Sequence, residues 1–317
     1  MQDVPAAAEE RPPVFVFTCG RTGSTLLIRM LNCLPDTIMW GEHNGSLKPL
    51  LNSYSRVRDV ANNQFVAQAS QLLQPVYDRQ PILTKPGMSI EWLNWFTEAD
   101  IDRLYRDFIT GLFYPEEVRG RFSRWGFKEI QYRDFEATML RKLFPGMKAI
   151  ILYRNPAAVF ASQFRNFAKG DGERLPKIIK NIESFYQFAA AQAEREDDGE
   201  DRPLFISYEE IASAFGDSVL KLQQFLDEDF SSSIEEIAKD IARFRKRRNL
   251  LKWSSNPLED FDAWQRTTEV KVPRRRIQLM VDSYEAVLKA TAAERTAMVT
   301  EPEFGMEGSA RAAVQDL

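Results

Sequence analysis

The chain carries one histidine and two cysteines in 317 residues. With so few soft ligands, and with Cys19 and Cys33 separated, no zinc set forms at the usual spacing, and no metal is expected. Two cysteines do not make a disulfide framework either, and reduced structural thiols suit them better than a Cys19–Cys33 bridge. No apolar run reaches the ~18 residues of a membrane helix. The opening residues 1–13 hold no apolar stretch of signal-peptide length. Both absences predict a cytoplasmic chain without a membrane span. Excess positive charge is missing too: 42 Lys and Arg against 46 Asp and Glu give a net charge of −4. Nucleic acid is therefore not expected as a partner, and an anion site must come from a local cluster of cations. Internal repeats and coiled-coil heptads are absent.

What is present begins with Val14-Phe15-Val16-Phe17-Thr18-Cys19-Gly20-Arg21-Thr22-Gly23-Ser24-Thr25-Leu26-Leu27. This reads as a buried strand, a glycine turn and a helix start. Such a turn leaves backbone N–H groups uncovered, and the first helical turn adds unpaired donors at the positive end of its dipole, which makes an anion cradle. A nucleoside-triphosphate loop needs Gly-x-x-x-x-Gly-Lys-Ser/Thr. Here Thr18 stands in place of the first glycine and Ser24 in place of the lysine, while the cation sits at Arg21. A guanidinium there can fork onto phosphate or sulfate oxygens.

Arg21-Thr22-Gly23-Ser24-Thr25-Leu26-Leu27 resembles the phosphosulfate loop of sulfotransferases that use 3′-phosphoadenosine 5′-phosphosulfate (PAPS). Further segments similar to that family follow in order: Gly41-Glu42, Gly126-Phe127-Lys128-Glu129, Tyr153-Arg154-Asn155-Pro156 with Ser162, and Phe205-Ile206-Ser207-Tyr208-Glu209-Glu210-Ile211. The resemblance covers roughly residues 12 to 215. It implies an α/β fold with a central, mostly parallel sheet flanked by helices, similar to the P-loop nucleoside triphosphatases, with a helical acceptor-side insertion. It also implies PAPS as donor, 3′-phosphoadenosine 5′-phosphate (PAP) as product, and no metal. Arg21 and the N–H groups of Thr22, Gly23, Ser24, Thr25 and Leu26 would hold the phosphosulfate. Arg154 and Ser162 would hold the 3′-phosphate, Tyr208 would lie near the adenine, and Lys128 would sit at the leaving group.

One branch of the family keeps a histidine two residues after that lysine, but here the position is Ile130, which takes no proton. The chain more closely resembles the tyrosylprotein and bacterial carbohydrate branches, whose catalytic glutamate sits in a Gly-Glu pair. Glu42 occupies that place and is the preferred base, with His43 beside it as the alternative. Neighbouring side chains on an extended segment point to opposite sides, which separates the two roles.

Along the chain we expect strands near 14–18, 38–40, 125–130, 149–153 and 204–207. Helices are expected near 24–33, 134–143, 156–167 and 175–194, with loops at 169–173 and in the acidic run 196–201. Residues 1–317 read as one domain, with a flexible start at 1–12, a helical insertion at about 47–120 and a mostly helical part at about 216–317. Ile101, Leu104, Tyr105, Phe108, Ile109 and Leu112 keep helical spacing and read as core. Trp92 to Phe96 is a candidate acceptor lid. Of the basic stretches, 243–248 reads as a solvated helix face. The stretch 271–276 follows a Trp264 loop, which makes Lys271 and Arg274 candidates to fold over the nucleotide. The acceptor is left open among a small molecule, a sugar and a peptide, by hydroxyl or amine, and the oligomeric state is open as well. A nucleotide kinase would need the missing lysine and a magnesium carboxylate. A silent nucleotide-binding module would be expected to lose its base.

Overall fold

A computed structural model describes residues 10–61, 96–168, 174–195, 202–228, 230, 256–268 and 271–300, the last with side chains to 292. The strands are β1 (Val14–Phe17), β2 (Thr37–Trp40), β3 (Arg124–Glu129), β4 (Lys148–Tyr153) and β5 (Leu204–Ser207). They form one five-stranded sheet in the order β2-β3-β1-β4-β5, with every pairing parallel. A parallel sheet covered on both faces needs apolar residues at consecutive positions. Val14, Phe15, Val16 and Phe17 are all buried. Phe15 and Phe17 join Trp125, Phe127 and Ile151 in one core, whereas Val14 and Val16 join Leu26, Leu27, Ile150 and Leu152 in the other. Each such side chain stabilises the fold by ~1.5 to 3 kcal/mol when fully buried.

Helices α1 (Ser24–Leu31), α2 (Lys48–Ala61), α3 (Glu98–Phe113), α4 (Glu116–Arg119), α5 (Asp134–Leu143), α6 (Pro156–Gln163) and α7 (Arg174–Ala193) cover the sheet. They are followed by α8 (Tyr208–Ser213), α9 (Phe215–Leu226), α10 (Pro257–Arg266) and α11 (Arg274–Thr300). Helix α11 packs along α7, and the Arg276 guanidinium pairs with the Glu183 carboxylate. Helix α10 lies on α6, with the Trp264 and Phe160 rings 4.9 Å apart. Because β2 and β3 lie on one side of β1 and β4 and β5 on the other, the strand order reverses at β1. The carboxyl ends there open the crevice in which sheets of this kind bind ligands.

The sequence expectations meet several differences. In α3 only part of the apolar stripe is core: Ile101 and Ile109 are buried, but Leu104, Phe108 and Leu112 are 61%, 54% and 56% exposed. Those three follow i, i+4 spacing on a stripe that turns away from α2 and α5, against which α3 packs. The helix after β4 ends at Gln163 and continues as a π-helical turn, Phe164–Ala168. Trp264 belongs to α10 rather than to a loop. Cys19 and Cys33 are both free thiols. The loop at 169–173, the acidic run 196–201, the basic stretch 243–248 and, Phe96 aside, the Trp92 to Phe96 candidate lid lie outside the described residues.

Candidate active site

At the end of β1 the chain turns on two left-handed residues, Arg21 with φ 75° and Gly23 with φ 94°. At Gly23 only glycine fits, because a Cβ would come within 2.2 Å of the Tyr208 ring. At Arg21 the conformation costs on the order of 1 kcal/mol, and the neighbours hold it. Arg21 Nε donates to Ser162 Oγ at 3.0 Å, and Arg154 Nη1 donates to the Arg21 carbonyl at 3.3 Å. Arg21 thus forms one cluster with Arg154 and Ser162, both more than a hundred positions further along the chain. The Thr22 hydroxyl is buried and bonds that of Thr18 at 2.5 Å, and Thr18 in turn donates to the Leu152 carbonyl at 2.8 Å. The Thr22 side chain therefore braces the loop. Helix α1 starts with no side-chain cap at Gly23, which leaves its first-turn donors to an anion. The Leu26 N–H is the exception among the expected cradle donors, since it bonds the Gly23 carbonyl at 2.8 Å.

Arg154 ends β4 almost fully buried, its guanidinium carbon 4.3 Å from the Tyr208 ring centroid. Its Nε has no hydrogen-bond partner, and the nearest carboxylate oxygen, on Glu209, is 4.0 Å away. A buried guanidinium N–H without a partner is costly and suits an incoming anionic oxygen. Asn155 fixes the backbone around it: Oδ1 accepts from the Ala157 and Ala158 N–H groups at 2.9 and 3.3 Å, Pro156 fills the first helical turn, and Nδ2 donates to Asp260 at 2.8 Å. The Tyr186 hydroxyl donates to the Arg154 carbonyl.

Beyond β2, Glu42 and His43 part company. The Glu42 carboxylate is 41% exposed and contacts the buried Lys128 ammonium of β3. His43 turns instead into a cage of Phe113, Phe127 and Tyr132, with Nδ1 3.0 Å from Ser46 Oγ and 3.5 Å from Glu129 Oε2. Burial lowers the His43 pKa, and the Glu129 charge opposes that shift. The same burial raises the Tyr132 phenol and pushes the Cys19 thiol up to about 12.

Glu129 was given no role by sequence reasoning. Its fully buried carboxylate accepts the backbone N–H groups of Gly45, Ile130 and Gln131 at 2.8, 2.7 and 3.1 Å, tying the loop after Glu42 to the strand end that carries Lys128. A carboxylate at the end of a strand expected to lie within the sheet was the available signal.

A cavity of about 910 Å³ is lined by the cradle residues Arg21, Gly23, Ser24 and Thr25, by Glu42 and Ile130, and by residues of α7. Lys271 and Arg274 do not line it. They bond the Gln265 carbonyl at 3.2 Å and Asp262 at 2.6 Å, both on α10. The α7 cations that do line it, Arg174, Lys177 and Lys180, were not singled out in the sequence, although their spacing of three was visible.

Three solved structures illustrate the likeness. A sulfotransferase domain from the Synechococcus PCC 7002 olefin synthase is 19% identical and covers 88% of this chain and 96% of its own, at a TM-score of 0.47. The sulfotransferase domain from the curacin biosynthetic pathway is 17% identical over 88% of this chain and 99% of its own, also at 0.47. Mouse sulfotransferase SULT7A1, solved with PAP, is 13% identical over 92% and 90%, at 0.46. The curated proteins yield no match. The sequence model of the Sulfotransferase family matches residues 12–232, which include all five strands and the rim on which Arg21, Glu42, Lys128, Arg154 and Tyr208 stand. With more than half of its length so matched, the chain belongs to the sulfotransferase family.

Proposed function

We propose that this protein transfers a sulfuryl group from PAPS to a hydroxyl or amine of a small-molecule, sugar or peptide acceptor, with Glu42 as the base. The observation that carries the reading is the cluster of Arg21, Ser162 and Arg154 around a left-handed turn at a helix start without a side-chain cap. PAPS supplies the sulfuryl group: the acceptor atom forms the new bond to sulfur as the bond to the phosphate oxygen breaks, and the phosphate gains the negative charge. Arg21, the uncapped N–H groups of α1 and Lys128 stabilise that charge where it builds. Arg154 and Ser162 hold the 3′-phosphate, the buried Arg154 Nε supplying a donor that lacks a protein partner, and Tyr208 backs the guanidinium. Glu42, on the wall of the same cavity, takes the acceptor's proton. Its contact with Lys128 sets base and cation side by side.

PAP should raise the melting temperature without added metal, because a ligand of the native state at a hundredfold excess over its Kd adds about 2.7 kcal/mol. Arg154→Ala should weaken PAP binding by about 2 to 3 kcal/mol with the fold intact. Thermal unfolding with and without PAP checks the first, and calorimetric titration of the variant checks the second. Stabilisation by ATP with magnesium and none by PAP would support a kinase instead.

A further inference from the structure

Taking the cradle as the donor end, as in the reading above, we propose that the α7 wall of the cavity selects an acceptor that is itself an anion, bearing a carboxylate, sulfate or phosphate group. Along α7, Arg174, Lys177, Asn181 and Ser184 fall on one stripe facing the cavity, and Lys180 flanks it. Arg174 donates to the Phe167 carbonyl at 3.3 Å, and the cations of the wall outside α7 are engaged as well. Lys48 Nζ lies 3.7 Å from Glu136, Arg21 donates to Ser162, and Arg133 donates to Asn181, Ser184 and two backbone carbonyls. Lys177 and Lys180 have no hydrogen-bond or ion-pair partner among the described residues. Glu42 is the lone carboxylate on the described wall, and it contacts Lys128.

The sign of this wall runs against the whole molecule, whose net charge is −4. Cations gathered on a concave, partly apolar surface attract an anion more strongly than the same cations on an open face. The donor does not account for them. Arg154 and Tyr208, the nucleotide contacts in the reading above, do not line the cavity, whereas the α7 cations do. Ile130, Phe167 and Ile178 lie on the same wall and suit an apolar or ring-shaped body behind the charged group.

The test compares matched probes on the full chain by ligand-observed NMR: 4-hydroxybenzoate against 4-hydroxybenzyl alcohol, and glucuronate against glucose, each with and without saturating PAP. The acid of at least one pair should bind about tenfold more tightly than its neutral partner. The double variant Lys177→Glu, Lys180→Glu should bring that ratio close to one, and Lys177→Gln, Lys180→Gln should lower it partway, with PAP affinity unchanged in both. No acid preference in either pair overturns the proposal, as does a preference that survives both variants. Loss of PAP affinity in the variants also overturns it, by assigning the cations to the donor. Failure of the donor reading is a separate result, wild-type protein that does not bind PAP, and the nucleotide-free arm still reads the acid preference in that case.

Discussion

Glu42 and His43 leave the end of β2 on opposite sides, one toward the cavity and Lys128, the other into the aromatic cage around Glu129. If Glu42 is the base, Glu42→Gln removes the basic oxygen but keeps the shape, and turnover should fall about 100-fold or more with PAP affinity nearly normal. His43→Gln should cost much less, since it removes a packing and hydrogen-bonding group. The reverse ranking in single-turnover assays would move the base to His43. A second outcome follows from the lowered His43 pKa. Below the ordinary value near 6.5 the unfolded chain takes up a proton that the folded protein resists. The contribution of His43 is therefore complete above about 6.5 and is lost as pH falls through that value toward the lower native one. This is the chain's single histidine, and melting temperatures between pH 7.5 and 5.5 should fall more steeply for wild type than for His43→Gln. Parallel slopes would count against it.

Among the elements, β3 is where backbone proximity decides. A Cβ on Gly126 would lie 1.9 Å from the Val14 carbonyl oxygen of β1 and 2.7 Å from the Met39 sulfur of β2. Neither neighbouring strand can withdraw without breaking its ladder, and Gly126→Ala should destabilise by about 3 kcal/mol or more. Gly111 is the contrast: it sits in α3 with nothing within 4 Å of a Cβ, and Gly111→Ala should stabilise by about 0.4 to 1 kcal/mol. Urea unfolding of the two variants checks both signs. The same distinction marks what the sequence made legible. All five strands and the turn at Arg21 could be read because their signals are local: consecutive apolar residues, glycine, and Asn-Pro at a helix start. Which half of the α3 stripe is buried could not, because Leu104, Phe108 and Leu112 differ from Ile101 and Ile109 only in which neighbour they meet. Glu129 and the α7 lysines escaped notice for the same reason, since their surroundings are assembled from segments distant in the chain.

For the molecule as a whole, the family match ends at residue 232, yet α10 and α11 lie beyond it and complete the packing around the site. Asp260 of α10 accepts from Asn155 next to Arg154, and Ile277, Met280 and Val281 of α11 are buried in the core that also holds Phe185 of α7. A chain ending at residue 232 should therefore lose cooperative unfolding and bind a hydrophobic dye, and a sharp two-state transition in that fragment would show the residues beyond 232 to be dispensable. The parallel sheet has one more effect. All the rim residues stand where strands end, whereas the turn from α5 into β4, with Gly146 at φ 77° and open space around it, lies at the edge where strands begin. That edge is the place to join a fluorophore, a surface tether or permuted chain termini, because the sheet itself holds any such attachment a full strand length away from the chemistry.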